Sequence, residues 1–168
     1  ETYNYDKKSF NINGVVDLTN SKVRVSRLNY KKEIGKKSNV SFDINFILNK
    51  FYNINKLSFL ADKNKIDLFN VKVDKNFEVL NFKKIEIKTF LNGIKNNDFL
   101  AEKSEKVIIS GQVFDAQPLL QSLYKKSDKK TFSRNFSSEI RINFDKALTG
   151  TNDDISNFAM IGLINKGS

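Results

Sequence analysis

Acidic and amide side chains supply the spacings in this chain that could do chemistry, and each has to be weighed against a plain turn. Asp62-x-Asn64 followed by Asp67 has the opening rhythm of a calcium loop. Such a loop needs a glycine at its sixth position and a bidentate Glu at its twelfth, and Val73 stands at the twelfth. Asp74, Asn76 and Glu78 alternate near a second turn, and Asp153-Asp154 follow Gly150; all three groups read as solvated turns. Asn39-Val-Ser41 and Asn135-Phe-Ser137 match the glycosylation sequon, a chance product in so Asn-rich a chain. No glycine-rich phosphate loop is present, and no nucleophile, base and oxyanion hole can be assembled. The sequence holds no Cys and no His. That excludes thiolate and imidazole metal sites, disulfides, and Ser-His-Asp or Cys-His catalysis. A non-catalytic protein with no cofactor is the expectation.

The elements that carry these residues are strands. Val40, Phe42, Ile44, Phe46 and Leu48 alternate with Ser41, Asp43 and Asn45, giving one apolar and one wet face. Val107, Ile109, Gly111 and Val113 repeat the pattern, as do Ile140, Ile142 and Phe144. Turn residues divide the chain at Thr19–Ser21, Gly35–Ser38, Asp62–Lys65, Asp74–Asn76, Asn92-Gly93 with Asn96–Asp98, and Gly150–Asp153. Strands are expected near 9–19, 22–32, 39–49, 54–62, 65–74, 77–91, 102–114, 134–147 and 154–165. Tight turns between consecutive strands predict a meander. The apolar phase slips between Val25 and Leu28 and between Leu68 and Val71, as β-bulges would cause. A long sheet bent at bulges curls, so the expected fold is mainly β: a long antiparallel meander curled into a groove or half-pipe.

One segment departs from period two. Leu119, Leu120, Leu123 and Tyr124 fall on one helical stripe, Asp115 precedes it as a cap, and Pro118 sits in the first turn. A short amphipathic helix near 116–126 is predicted, docking Leu119, Leu120 and Leu123 on the apolar face. The formal charge of +10, from 29 basic and 19 acidic residues, is scattered in Lys doublets such as Lys31-Lys32 and Lys83-Lys84. Without a concentrated stripe or binding motif, nucleic acid is not expected as a partner. The longest apolar run, Phe158 to Ile164, is far short of the ~20 residues a helix needs to span a bilayer. The chain opens at Glu1 without a signal peptide, and 1–168 is expected to be a single β segment of a longer repetitive β protein.

Two phrases near the C-terminal third carry a resemblance. Ile108 to Leu120 reads IISGQVFDAQPLL, and it resembles the "G-x-x-[FL]-D-A-x-P-L-L" phrase of the AsmA-like superfamily, specifically its large YhdP-type members. The matching positions are Gly111, Phe114, Asp115, Ala116, Pro118, Leu119 and Leu120; Gln112 and Gln117 depart from the charged residues usual there. Residues 140–150, ending in Gly150, and 155–167 resemble the paired strands that follow in the same proteins. The resemblance implies a periplasmic protein anchored in the inner membrane by a segment not present here. It also implies stacked β segments with a hydrophobic groove, supporting phospholipid transport between inner and outer membranes. Partners would be phospholipid acyl chains and neighbouring β segments of the same chain. The lipid-contacting candidates are Phe42, Ile44, Phe46, Leu48, Leu57, Phe59, Val107, Ile109, Ile140, Ile142 and Phe144. The competing expectation is a closed β-sandwich that serves a structural or protein-binding role, its apolar face packed on a second sheet.

Overall fold

The computed structural model describes residues 2–4, 9–47, 51–76, 78–124, 137–150 and 154–164. The chain is mainly β, with strands β1 (Thr2–Asn4), β2 (Ser9–Asp17), β3 (Val23–Val25), β4 (Tyr30–Lys32), β5 (Asn39–Ile47), β6 (Phe51–Ala61) and β7 (Asn64–Asp74). After these come β8 (Val79–Asn81), β9 (Lys84–Leu91), β10 (Ile94–Lys103), β11 (Val107–Asp115), helix α1 (Gln117–Tyr124), β12 (Ser138–Leu148) and β13 (Ile155–Ile164). One large open sheet runs in the order β1-β2-β5-β6-β7-β9-β10-β11-β12-β13, with β8 hydrogen-bonded to β7. All of its pairs are antiparallel except β11–β12, because the chain leaves β11 through α1 and returns to the same end before β12 begins. The expected meander therefore holds from β5 to β11, with β8 set beside it, and is broken at the strap between β2 and β5 and at α1 between β11 and β12.

Three expected segments changed. The 77–91 strand is two strands, β8 and β9. Asn96–Asp98, read as a turn, lies inside β10; the actual turn is Asn92-Gly93, both with positive φ (52° and 82°). That pair is the favoured two-residue hairpin turn, and its twist suits the flanking strands. The 22–32 strand is not in the main sheet at all. It is a strap, β3 and β4 joined by a 3-10 turn at Ser26–Leu28 that ends on Asn29 in the left-handed region (φ 50°). The predicted slip after Val25 is thus a turn, while the slip after Leu68 is a true kink. There β6 holds one extra residue, Asn55, relative to β5, and β7 follows with Asn70 at φ 49°. A second kink crosses β10 and β11, where Gln112 is extra, and Asn157 of β13 takes φ 53°. Such kinks bend strands and increase twist.

Gly111 sits at the second kink for a steric reason. A Cβ there would lie 2.2 Å from the Asp98 carbonyl oxygen and 2.6 Å from the Phe99 Cα, both backbone atoms that cannot step aside. The rings of Phe99, Phe114 and Phe144 gather around it, with Phe114 and Phe144 stacked at 5.1 Å. Phe144 is 2% exposed.

Candidate functional site

The register aligns apolar side chains into rows that cross the sheet. One runs Gly14, Phe42, Leu57, Leu68, Ile85, Ala101, Ile109, Ile142, Met160, each the direct cross-strand partner of the next. The next row on the same face runs Val16, Val40, Phe59, Ile66, Ile87, Phe99, Gly111, Phe144, Phe158. Neither row contains a polar side chain across nine strands. With strands about 4.8 Å apart, each row is an apolar track of roughly 38 Å. The rows of the opposite face carry Asp43, Lys56, Lys84, Glu102 and Arg141, or Ser41, Ser58, Asp67 and Glu86. The alternation of the sequence has thus become two chemically distinct faces.

Beyond these rows, Ile44 pairs with Ile12 and Ile54, Phe46 with Phe10 and Tyr52, and Val107 with Ile140. Phe42, Ile44, Phe46, Leu57, Phe59, Val107, Ile109, Ile140, Ile142 and Phe144 therefore share one face, as the sequence predicted; Leu48 lies outside the described residues. The Phe42 ring lies over Gly14, 3.3 Å from where a Cβ would sit, and Phe46 stacks on Phe10 at 4.7 Å. Phe42, Ile44, Phe46 and Leu57 are half-buried. Among the described residues no second sheet packs on this face beyond the two-stranded strap.

The strap covers one end of the face. Tyr30, Phe59 and Ala61 form a buried cluster at 3%, 6% and 4% exposure, with Leu18, Val23, Val25, Leu28, Val40 and Ile66 packed around it. Lys32, 4% exposed, holds the strap's loops together: its ammonium donates to the carbonyl oxygens of Thr19, Glu33 and Lys36 at 3.0–3.3 Å. A buried polar cluster then fixes the strap to the sheet. Asn96 and Asn97 donate their amides to the Leu28 carbonyl, and Asn97 also donates to Thr89 Oγ1. Asp115 Oδ2 accepts from Asn29 Nδ2 and Asn96 Nδ2, while its Oδ1 accepts from the Gln117 N–H and so caps the first turn of α1. At the other end of the strands a smaller cluster forms, in which Phe82 packs on Val107 and Ile140.

The helix docks differently from expectation. Leu119 and Leu123 are 39% and 67% exposed, and α1 packs beside the 3-10 turn of the strap rather than plugging the apolar face. Its glutamines line a shallow depression there instead. Pro118 and the half-buried Leu120 stand in α1, and Ala116 N–H bonds the Leu148 carbonyl, tying the helix start to β12. Gly150 has φ 86°, and a Cβ would strike the Gln117 side chain at 2.5 Å.

The acidic turns have structural roles. Asn64 donates to Ala61 O and accepts from Phe90 N–H; Asp67 accepts from Ser58 Oγ at 2.6 Å and pairs with Lys65. Asp74 Oδ1 accepts the N–H groups of Asn76 and Glu78, closing a turn, and Asp154 pairs with Lys146. No group of three acidic residues among those described could hold a metal. Sequence reasoning missed Asn96 and Asn97, which bond the Leu28 carbonyl nearly seventy residues earlier, and Tyr30 and Lys32, whose burial depends on the strap folding back on itself and onto β6. No protein-family model matches this chain, and comparison with curated proteins and with solved structures finds no significant match.

Proposed function

We propose that this chain is a non-catalytic periplasmic module whose apolar β face shelters phospholipid acyl chains, supporting their movement between inner and outer membranes. Its anchor would be supplied by a segment outside this chain. The observation that carries the reading is the unbroken apolar row from Gly14 through Phe42 to Met160 across nine strands, half-buried at Phe42, Leu57, Leu68 and Ile85 and continued beside it by Ile44 and Phe46. An acyl chain carried through water exposes about 0.8 kcal/mol of unfavourable surface per CH₂, on the order of 10 kcal/mol for a long chain. A 38 Å track lacking any polar side chain removes that cost over a distance longer than one leaflet's ~15 Å of hydrocarbon.

The test is occupancy. Solvent extraction of the purified protein followed by mass spectrometry should release phospholipid, and a photo-crosslinker at position 44 or 46 should label it in cells. Lipid-free protein together with no crosslink would overturn the reading. A second reading, a structural or protein-binding β segment without lipid, is favoured by β13. That strand has no charged residue from Ile155 to Ile164, and Ile161 and Leu163 are 73% and 74% exposed. A protein-only crosslink at position 161 with none to lipid at 44 or 46 would support it.

A further inference from the structure

The strap and α1 border a depression lined by Arg24, Ser26, Arg27 and Asn29 on one side and by Gln117, Pro118, Gln121 and Ser122 on the other. Its walls are set by alternation. Val23, Val25 and Leu28 turn into the buried cluster around Tyr30, so Arg24 and Arg27 stand on the other side, both exposed. Gln117 and Gln121 are one helical turn apart and meet them from α1. This reverses the docking that the helix's leucine stripe predicts: the amides face the arginines, and Leu119 and Leu123 face solvent.

Among the described residues the charge in the depression, carried by Arg24 and Arg27, has no ion-pair partner. Asp115, the carboxylate bonded to Asn29 and Gln117 of these walls, is 1% exposed and has both oxygens occupied by Asn29, Asn96 and the Gln117 N–H. Asp115 thus fixes both walls without closing the depression with a counter-charge. Two guanidiniums surrounded by amide and hydroxyl groups suit a phosphate, whose oxygens accept the planar bidentate donors of Arg.

We propose that Arg24 and Arg27 bind the phosphate of an anionic lipid headgroup at the strap end of the apolar face. This rests on the lipid reading above for the identity of the ligand, while the anion site stands on the geometry alone. A lipid rather than a free phosphate follows from the setting of the strap, whose other side, through Val23, Val25, Leu28 and Tyr30, packs on Val40, Phe59 and Ile66 of the apolar face.

The experiment is calorimetric titration of the full chain with three probes: inorganic phosphate, dihexanoyl phosphatidic acid below its micellar concentration, and uncharged dioctanoylglycerol. The wild type should bind the phosphatidic acid at least tenfold more tightly than inorganic phosphate. R24Q/R27Q, at exposed positions, should weaken phosphatidic acid at least tenfold and leave dioctanoylglycerol unchanged. Gln121→Glu, which places a carboxylate in the depression without touching an arginine, should weaken phosphatidic acid as well. Equal phosphatidic acid affinity in wild type and both variants overturns the site, even where dioctanoylglycerol still binds and the lipid reading survives. Arginine-dependent binding of inorganic phosphate with no binding of either lipid overturns the headgroup assignment and the lipid reading together.

Discussion

At Val40, Phe59 and Ile66 the apolar face is covered by its own chain; a few residues further along, at Phe42, Ile44 and Phe46, no described residue covers it. Residue types do not explain the difference, since both stretches are built of Phe, Ile and Val on one face of β5 and β6. What differs is the strap. It brings Tyr30 onto Phe59 in an edge-to-face contact at 5.8 Å and takes both to near-complete burial. In the open stretch Phe10 stacks on Phe46 and Phe46 meets Tyr52 edge-on, contacts made within the sheet itself. A period-two pattern therefore specifies a face and leaves its cover to be supplied from elsewhere.

Truncations should expose this difference most strongly. Tyr30→Ala removes a buried ring and leaves a cavity, and should cost about 3–5 kcal/mol in urea unfolding. Phe46→Ala, on the half-exposed stretch, should cost about 1–2 kcal/mol. Equal losses would mean that the two stretches are packed alike and would break the comparison. Asp115→Ala attacks the cover at its anchor. It leaves the amides of Asn29 and Asn96 short of an acceptor in a buried site, and should cost about 2–3 kcal/mol. Amide exchange should then quicken across 18–38 and stay slow in β5–β7; uniform quickening would show that the strap and sheet unfold as one unit.

Lys32→Met should be milder, at about 1–2 kcal/mol, because the three carbonyls it serves lie in strap loops that water reaches on relaxation. Its exchange signature should be confined to 19–36. The smallest effect lies on the outer face behind the covered stretch. Lys65, bonded to Asp67 at 3.0 Å and to Glu86 at 3.1 Å, has its pKa raised above the ordinary 10.5 by those bonds, Asp67 first. Its contribution is complete below 10.5 and is lost as the pH climbs through the raised value. With 37% of the side chain exposed, screening holds it below about 1 kcal/mol. Lys65→Met should therefore be slightly less stable than wild type at pH 8, with the gap closing above pH 10.5; a gap that persists there would assign the loss to packing.

The sequence made the strands and their inward residues legible because half-buried antiparallel strands write a period-two code. It made the kink after Leu68 visible through the slipped phase to Val71. It misread Asn96–Asp98 because Asn is a turn former by habit. Here Asn96 and Asn97 sit in a strand, 3% and 0% exposed, with their amides satisfied by a segment nearly seventy residues earlier. The strap was invisible for the same reason. Val23, Val25 and Tyr30 alternate like any strand, and nothing local says that they cross the face instead of extending it. The helix showed the limit of amphipathic reasoning: it formed where expected, but Leu119 and Leu123 of its stripe stayed exposed, because Asp115 and the strap set its orientation.

The single parallel pair has a consequence for how the sheet is made. From β5 to β11 the main-sheet neighbours are joined by turns or short links, as at Asp62-Lys63 and Asn92-Gly93, so those pairings close small loops. Two pairings do not. β2 meets β5 only after the whole strap intervenes, and β11 meets β12 only across residues 116–137. Closing a loop ten times longer costs about 2 kcal/mol more chain entropy before any contact repays it. The central hairpins should zip early, and the two ring closures at the flanks should set the pace of folding.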